Sequence, residues 1–593
     1  MCWRLAKILI LQSILMNMKQ AYDTLTRIWN ELYPDTGHKM LKELKEELHD
    51  LAKGMSLPGH QEEWYKDAVV YSLYVDLFNK DFPGLERKLD YLQDLGVNCL
   101  WLLPILDSPG KDAGFDISDY RSIRPDLLGL SQESTRQERA AVFEDFMQKA
   151  HDRGIRVIFD IAINHTSNEH PWFVSAREST ESPYRDYYIW SDDDRKYADA
   201  RIIFKGLCSS NWEKDGGQFY FHRFFEFQPD LNYRNPDVLL AMSRNLLYWL
   251  KLGVDGFRAD AIPYLWKEEN TDCENLPQTH LIVKFFRAVL DAVRPHTLLL
   301  AEACQKPREV VKYFGDGDEC HAGYHFPLMP QMFKALRMQE SEPVRHILSK
   351  EVTPEIPKVS QWFTFLRCHD ELSLELVYVS EEDRKYIHEN YCKQPGWDFR
   401  LGQGISARLA ELLDRDPQKI ALAFAMMLSL PGTPVIYYGD EFGKLNDEEY
   451  YSELISLTGK DDTRFLVRGR IDWETVEKEI RDENSFAGKV YSAIRHMVTT
   501  RRDYPSFGRG NLEMLDIIDK DGSENKHVMG FYRTFKCGRL LILLNLSDED
   551  QTIKVPNTRI RTYEKDILDK RPVINYAEET IHLPAYEYHW FYL

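Results

Sequence analysis

Three acidic residues at separate points along the chain have the types and settings that glycosyl transfer requires. Asp260 ends the segment GFRAD, Glu302 lies in LAEA, and Asp370 ends FLRCHD. A retaining glycosidase needs a carboxylate nucleophile, a carboxylic acid that later acts as base, and usually further negative charge near an oxocarbenium-like transition state. The three acids together predict double displacement at the anomeric carbon of a sugar.

The settings of Asp260 and Glu302 distinguish them from ordinary acidic residues. A single Asp or Glu after a strand is usually a helix N-cap or part of a turn. These two follow the apolar runs 253–257 and 297–300, which are typical of buried parallel strands. Barrel enzymes carry their chemistry at the carboxyl ends of such strands, so the joint pattern predicts a catalytic set of Asp260, Glu302 and Asp370.

Strand-like and helical segments alternate through the middle of the chain, which is typical of parallel strands joined by crossover helices. Eight strands, together with the intervening helices, predict an α/β fold, a (β/α)₈ TIM barrel over residues 64–505. The strand-like segments are 69–75, 97–103, 155–161, 254–257, 297–301, 321–325, 362–366 and 434–438.

Three further regions complete the predicted architecture. Residues 1–63 show helical periodicity and predict an N-terminal helical extension. Residues 166–236, rich in Trp, Tyr and Phe, interrupt the alternation after the third strand and predict an inserted domain over the barrel mouth. Residues 506–593 alternate like short antiparallel strands and predict a C-terminal antiparallel β-sandwich.

The composition restricts the partners and the compartment. The 593 residues carry a formal net charge of -20, which argues against nucleic acid and anionic lipid, since phosphate binding needs clustered Lys and Arg. Nine Cys residues without CxxC pairs indicate reduced thiols, so we expect a cytoplasmic protein. Residues 4–16 only loosely resemble a signal peptide, and we expect no membrane span. The oligomeric state stays open.

Four segments resemble the signature regions of the alpha-amylase superfamily of glycoside hydrolases in order, spacing and strand context. They are 160–166, 256–260, 300–303 and 369–370. Within that superfamily, the middle of the chain is most similar to trehalose synthases, at 273–277, 313–321, 325–330 and 369–372. The N-terminal helices are instead similar to amylosucrases, as are 74–78, 439–447 and 471–474.

The resemblance implies a role for each of the three acids. Asp260 would be the nucleophile that forms a glucosyl ester, and Glu302 would be the general acid and then the base. Asp370 would orient the sugar hydroxyls and stabilise positive charge. The α-configuration would be retained, with the carboxyl groups of Asp260 and Glu302 about 5 Å apart.

The same resemblance implies residues that bind the glucosyl unit. Arg258 lies two positions before Asp260 on the same strand face, where it would hold the nucleophile ionised and oriented. His165 and His369 resemble the paired imidazoles that hydrogen-bond the sugar ring.

Asp116 and Arg400 resemble the ion pair that closes the nonreducing end of the glucose pocket in both groups of relatives. Phe115 and Phe173 are candidate hydrophobic faces for sugar stacking. A pocket sealed by this pair admits one glucosyl unit, so it favours small α-glucosides such as maltose, trehalose and sucrose over internal cleavage of starch.

Calcium is the metal that the resemblance suggests, through the Asn matched by Asn164 and an acidic residue of the insertion. The corresponding stretch, 205–208, reads KGLC, whereas calcium needs several oxygen ligands. We therefore expect no required cofactor. Cys304 and Cys368 also depart from the relatives, which usually have Asn there, and a thiol is a weaker hydrogen-bonding group than an amide.

The preferred functional prediction is transfer of a glucosyl unit within small α-glucosides, interconverting maltose and trehalose. The nearest alternative is hydrolysis by an α-glucosidase or alpha-amylase-type enzyme, followed by amylosucrase-like use of sucrose. A different class is also open, because some amylase-like barrels have lost catalysis and serve as binding subunits. Such proteins typically lack one of the three acids, and all three are present in this chain.

Overall fold

Eight parallel strands form a closed barrel and follow one another around it in chain order. The computed structural model describes residues 19–55, 63–204, 208–556 and 566–593. Val70 of the first strand pairs with Val435 of the last and closes the ring, so the predicted TIM barrel is confirmed. The barrel strands are β1 (Val70–Leu73), β2 (Cys99–Leu102), β3 (Arg156–Ala162), β4 (Gly256–Asp260), β5 (Leu298–Ala301), β6 (Ala322–Tyr324), β7 (Gln361–Phe365) and β8 (Thr433–Tyr437).

The strand register places two of the predicted acids at one rim of the barrel. Asp260 is the last residue of β4 and lies opposite Ala162 of β3. Ala259 pairs with Ala301, the last residue of β5, so Glu302 leaves β5 beside Asp260. Parallel strands align their carboxyl ends, which brings residues far apart in sequence to the same edge.

The barrel strands are packed on both faces. Every residue of β1, β2, β5, β6, β7 and β8 is buried, as expected when helices cover the outside and side chains fill the interior. Val, Ile, Leu and aromatic residues dominate these strands and suit an extended, buried backbone.

Helices surround the barrel, and several begin at clear capping sequences. Asn235 accepts a hydrogen bond from the Asp237 amide, with Pro236 at the first helical position. Thr135 and Glu138 form a capping box. Besides the helical residues 19–32, the α-helices are Lys39–Gly54, Val75–Asn79, Phe82–Glu86, Leu89–Leu95, Arg136–Asp152, Pro171–Glu178, Pro236–Lys251, Pro277–Val293, Pro307–Val310, Leu328–Met338, Glu342–Ile347, Glu381–Tyr391, Leu409–Leu412, Pro417–Ser429, Glu448–Thr458, Trp473–Ile480, Phe486–Arg502 and Ser506–Arg509.

The insertion after β3 has a small antiparallel sheet of its own. Strand Gln218–Phe221 pairs with Trp190–Ser191 on one side and with Trp212–Asp215 on the other. Two further short sheets lie in the loops that follow β2 and β7. The first pairs Leu106–Asp107 with Asp119–Ile123, and the second contains Leu372–Ser373, Gly404–Ile405 and Asp398–Phe399.

Two four-stranded antiparallel sheets form the predicted C-terminal β-sandwich. Leu541 and Leu543 pack in one cluster with Ile553 and Ile581 of the second sheet. The residues that alternate with them along the strand, Leu540, Ile542 and Leu544, pack in the main core. This alternation is the period of two expected for strands. One sheet contains Asn511–Leu515, Val528–Phe535, Gly538–Asn545 and Tyr588–Tyr592, and the other contains Ile518–Asp519, Gln551–Lys554, Thr580–Leu583 and Val573–Asn575.

The N-terminal helices pack on the outside of the barrel. Leu41, Leu44 and Leu48 recur at helical spacing on Lys39–Gly54 and are buried. Trp29 contacts Phe285 of an outer helix, with ring centroids 6.5 Å apart. Residues 1–18, which include the signal-like segment, lie outside the described residues. No helix within the described part of the chain is long and apolar enough to cross a membrane.

Candidate active site

Arg258 joins the two carboxyl groups predicted to carry the chemistry. Its Nη1 contacts the Oδ1 of Asp260, and its Nη2 lies 3.3 Å from the Oε1 of Glu302. The other carboxyl oxygen of Glu302 accepts a hydrogen bond from the Ala261 amide at 3.1 Å. One buried guanidinium therefore orients both acids at the rim of β4 and β5.

Asp160 of β3 adds a third carboxyl group to the same guanidinium. Its Oδ1 lies 2.7 Å from the Nη1 of Arg258, and its Oδ2 accepts a hydrogen bond from the Nε1 of Trp101 at 2.8 Å. Burial raises the pKa of Asp160 to about 6. Burial also raises the pKa of Asp260, where Arg258 opposes the rise and Glu302 adds to it. Three carboxyl groups around one positive charge therefore favour a bound proton.

Asp370 has a more positive environment. Its Oδ1 lies 2.9 Å from the Nη2 of Arg468 and 3.2 Å from the Nη1 of Arg464. Its Oδ2 lies 3.2 Å from the Nε2 of His369. Burial opposes ionisation, but His369 and the two guanidinium groups outweigh it and hold the pKa of Asp370 well below its usual range. Asp370 is therefore fully negative at neutral pH.

The three acids line one cavity with a volume of about 160 Å³. Arg258, His165 and His369 line the same cavity, as predicted for residues that bind the sugar. Gln228 donates a hydrogen bond to the Oδ2 of Asp112 at 3.0 Å and lies 3.3 Å from the Nε2 of His165. Burial lowers the pKa of His369 to about 3 and also lowers that of His165, so both rings are neutral hydrogen-bonding groups near pH 7.

The two predicted stacking residues lie in different places. Phe115 lines the cavity, and its ring stacks on that of His369 with centroids 5.7 Å apart. Phe173 is fully buried and stacks on Trp190 inside the insertion, with centroids 5.8 Å apart. The structure corrects the prediction for Phe173, because its ring belongs to the aromatic core of the insertion and does not line the cavity.

The predicted ion pair between Asp116 and Arg400 is wrong: the two residues form no such pair in the described structure. Asp116 instead accepts hydrogen bonds from the Oγ of Ser108 and from the amides of Lys111 and Asp112. Its charge is therefore satisfied within its own loop. Arg400 does line the cavity, as predicted, but without this partner.

Asp112 and Arg464 make the carboxylate–guanidinium contact in the cavity wall. The Nη2 of Arg464 lies 4.0 Å from the Oδ1 of Asp112, and both residues line the cavity. Gly114 between the two candidate acids has a φ of +96°, a conformation that favours glycine. The chain turns at this glycine, so Asp112 and Asp116 are directed to different surroundings.

The insertion and the loop after β7 meet at the cavity. The guanidinium carbon of Arg400 lies 4.2 Å from the ring centroid of Phe204, within range of a cation–π contact. Phe204 and Phe224 of the insertion both line the cavity, with centroids 5.9 Å apart. Arg201, also on the insertion, pairs with Glu274 at 2.7 Å. These contacts hold the aromatic residues Phe204 and Phe224 of the insertion against the loops that follow the barrel strands.

Both cysteines that depart from the relatives line the cavity. The Sγ of Cys304 lies 3.6 Å from the Oε1 of Glu302, and Cys368 is buried beside His369. Burial raises the pKa of the Cys304 thiol well above its usual range. Glu302 therefore has a neutral thiol as neighbour, which is a weak hydrogen-bond donor.

A lysine ammonium occupies the place predicted for calcium. The Nζ of Lys267 lies 2.8 Å from the Oδ1 of Asn164 and 2.7 Å from the Oδ2 of Asp230. All three side chains are buried. Calcium requires six to eight oxygen ligands, and these oxygens already bind a positive charge. The residues at Asn164 therefore do not fit calcium; residues 205–207 of the insertion lie outside the described part of the chain.

Several groups of the site were missed by the sequence analysis. They are Asp112, Asp160, Gln228, Arg464 and Arg468. Asp160 had a signal, because it begins the first of the four signature segments at the centre of a strand. No sequence signal pointed to Arg464 and Arg468, because these residues follow β8 in the chain and only the fold brings them next to Asp370.

The barrel, its rim of buried carboxyl groups and the C-terminal sandwich define a class of glycoside hydrolases and related transferases. A family profile described as "Alpha amylase, catalytic domain" matches residues 59–493, and one described as "Alpha-amylase SusG C-terminal domain" matches residues 528–587. The chain belongs to the alpha-amylase family.

Within that family the chain is similar to trehalose synthases. It is 39% identical over 580 residues to the trehalose synthase/amylase TreS of Mycobacterium tuberculosis (strain ATCC 25618 / H37Rv), with 92% of each chain covered. It is 40% identical over 508 residues to the trehalose synthase of Pimelobacter sp. (strain R48), covering 80% of this chain and 85% of the relative.

Solved structures show the same fold at lower identity. The trehalulose synthase MutB from Pseudomonas mesoacidophila MX-45 superposes with a TM-score of 0.67 at 22% identity, over 90% of this chain and 100% of that one. An alpha-amylase from H. orenii gives a TM-score of 0.67 at 24% identity, over 89% and 99% of the two chains.

Proposed function

We propose that this enzyme transfers a glucosyl unit between small α-glucosides with retention of configuration, and that its principal reaction interconverts maltose and trehalose. The observation that carries the proposal is the position of Arg258. It contacts both Asp260 and Glu302 inside a cavity that Asp370 also lines. Two carboxyl groups oriented by one guanidinium suit a nucleophile and a proton donor that act on the same bond.

In the first step, the Asp260 carboxylate attacks the anomeric carbon and forms a glucosyl ester. Glu302 gives its proton to the glycosidic oxygen, so the bond to the second glucose breaks and that glucose leaves neutral. Asp370, ionised by Arg464 and Arg468, faces the positive charge that develops on the sugar ring.

The mechanism requires a proton on Glu302 before reaction, because Glu302 must donate it to the glycosidic oxygen. Asp260 and Asp160 share the Nη1 of Arg258, whose positive charge opposes the rise that burial causes in the pKa of both groups. Glu302 makes a longer contact to the Nη2 at 3.3 Å, and its other neighbours are the neutral Cys304 thiol and the Ala261 amide. This difference in surroundings supports the assignment of Asp260 as nucleophile and Glu302 as acid.

In the second step, the released glucose must turn and attack the ester through a different hydroxyl group. Glu302, now ionised, removes the proton of that hydroxyl, the ester bond breaks, and Asp260 is regenerated. Maltose converts to trehalose when the anomeric hydroxyl of the released glucose attacks. The charged groups Arg201, Glu375 and Arg400 in the cavity wall can bind the remaining hydroxyls of this second sugar.

Isomerisation requires that water be kept from the ester while the glucose turns. Phe204, which contacts Arg400, and the neighbouring Phe224 give the cavity an aromatic wall that supports this exclusion. The similarity to trehalose synthases at 39–40% identity supports the same choice. Hydrolysis is the second candidate, because the same ester yields glucose whenever water enters.

The proposal is tested by supplying maltose, trehalose and sucrose separately and resolving the products. Trehalose from maltose, together with maltose from trehalose, is expected. Glucose as the sole product would favour the hydrolase, and fructose with a glucan from sucrose would favour the amylosucrase-like alternative. Replacement of Asp260 by Asn with unchanged turnover would contradict both steps.

A further inference from the structure

A cluster of side chains outside the active-site cavity has the donor atoms of a soft-metal site. His388 lies near the C-terminal end of helix Glu381–Tyr391, and Cys392 is the residue that caps this helix. A ring nitrogen of His388, the Sγ of Cys392 and a carboxylate oxygen of Asp398 all lie within 4.8 Å of one another. We propose that these three residues bind one Zn²⁺ ion per chain.

The chemistry of the three donors selects for zinc. Zinc binds imidazole nitrogen and carboxylate oxygen at about 2.0–2.2 Å and thiolate sulfur at about 2.3 Å, usually in a tetrahedron. Donors on such a tetrahedron are about 3.5 Å apart, so shifts of about 1 Å in these side chains suffice. Calcium and magnesium prefer sites built only from oxygen. One thiolate and one carboxylate neutralise the charge of the ion.

The contacts within the cluster already hold the donors near this geometry. The Nε2 of His388 lies 2.7 Å from the Oδ1 of Asp398, and the Cys392 thiol donates to the Gln394 carbonyl at 3.5 Å. The neighbouring cation, Lys393, is committed elsewhere, because its Nζ lies 2.7 Å from Asp414. Zinc binding therefore replaces the hydrogen bond between His388 and Asp398 and the weak thiol contact of Cys392, and it does not have to displace an ammonium group. The Oδ1 of Asp398 also accepts a hydrogen bond from the Gly402 amide at 2.8 Å, which helps to hold this carboxylate in place.

Solvent access supplies an entry path and a fourth ligand. The side chains of His388 and Asp398 are 28% and 29% exposed, and Cys392 is half-buried. Water completes the tetrahedron at such partly open sites. At the Asn164 cluster, by contrast, the ammonium group of the buried Lys267 already occupies the position among the oxygen atoms.

A bound ion would cross-link a helix to a loop that reaches the active-site cavity. Asp398 begins the strand Asp398–Phe399, which pairs with Gly404–Ile405. Arg400, on the connection between these strands, lines the cavity. Zinc at this cluster therefore stabilises the folded arrangement of the loop and raises the thermal midpoint, because an ion that binds only the folded state shifts the equilibrium toward it.

The test is a titration of the full-length, metal-free protein with Zn²⁺ in competition with a chromophoric chelator. We expect one Zn²⁺ ion to bind per chain, with an affinity higher than that of a single exposed cysteine thiol for Zn²⁺. Cys392→Ser and Asp398→Asn are each expected to weaken this binding at least tenfold, whereas Cys537→Ser, which removes an exposed cysteine, is expected to leave it unchanged. Equal binding by the wild type and Cys392→Ser would overturn the proposal.

A second readout identifies the ligands without relying on affinity. With Co²⁺ in place of zinc, the wild type is expected to show thiolate-to-metal charge-transfer absorption and the visible bands of a tetrahedral ion. His388→Gln is expected to weaken these bands, and Cys392→Ser to abolish the charge-transfer band. A folded wild type without the charge-transfer band would contradict the site even if a variant failed to fold.

Discussion

The Nζ of Lys267 lies 2.8 Å from the Oδ1 of Asn164, so a side-chain cation fills the position for which the sequence suggested calcium. We therefore predict that added Ca²⁺ changes neither the activity nor the thermal midpoint of the wild type. Lys267→Met is predicted to lower the free energy of unfolding by about 3–5 kcal/mol, because it removes the positive charge that pairs with the buried carboxylate of Asp230. Urea unfolding of both proteins measures the difference.

Lys350→Met is the matched control for this substitution. Lys350 pairs with Glu355 at the surface, with its side chain 81% exposed. Surface pairs contribute about 0–1 kcal/mol, so little change is expected. If added Ca²⁺ stabilised the wild type, and Lys267→Met were as stable as Lys350→Met, the ammonium group of Lys267 would not be what occupies the proposed calcium position.

A second prediction concerns the pH dependence of stability. Burial lowers the pKa of His369 from its usual value of about 6.5 to about 3 in the folded protein. Between these values the unfolded chain binds more protons than the folded one, so stability is fully present above pH 6.5 and is lost as the pH falls toward 3. The contribution is at most about 1.4 kcal/mol per pH unit. Urea unfolding at several pH values measures the slope.

His369→Gln is expected to reduce this slope, because the substituted side chain does not titrate. His49→Gln, at an exposed position of the helix Lys39–Gly54, is expected to keep the wild-type slope. If all three proteins lost stability equally between pH 6.5 and 4, the neutral, buried state of His369 would be refuted.

A third prediction separates the two candidate acids near the nonreducing end. Asp112→Ala removes an acceptor that binds Gln228 and faces Arg464, and hydrogen bonds to charged groups contribute about 1.5–3 kcal/mol each. We expect kcat/KM for maltose to fall about 10- to 100-fold. Asp112 and Arg464 also line a neighbouring cavity, so acceptance of maltotriose relative to maltose is expected to rise.

Asp116→Asn provides the comparison. Its partners are Ser108 and two loop amides, so we expect a lower thermal midpoint with a smaller effect on kcat/KM for maltose. If a folded Asp116→Asn enzyme lost as much kcat/KM as Asp112→Ala, the sugar-binding role would belong to Asp116.

The sequence was sufficient for the barrel because its signals are local. Each barrel strand is a short apolar run, and the runs at 297–301 and 434–438 match β5 and β8 within one residue. In the C-terminal strand Val528–Phe535, the first six residues are likewise buried. A strand that is buried on both faces is a nearly continuous run of apolar residues, which can be recognised in the sequence.

The choice of partners across the site was not accessible in the same way. Asp112 and Asp116 stand on either side of a glycine, and only the backbone turn at Gly114 decides which one faces the cavity. Arg464 lies in the short 3-10 helix Thr463–Val467 and Arg468 directly follows it; both reach Asp370 over about 100 residues of sequence. Long-range pairing of charges depends on loop geometry, which composition and spacing do not encode.

The most direct measurement of the central claim is the trapping of the glucosyl ester. Glu302→Gln supplied with α-glucosyl fluoride still forms the ester, because fluoride leaves without a proton, but the variant lacks the base needed to release it. Mass spectrometry of the intact protein is predicted to show one added anhydroglucose unit, and peptide mapping to place it on Asp260. Consumption of the fluoride without any ester on Asp260, or with inversion of configuration, would contradict the account.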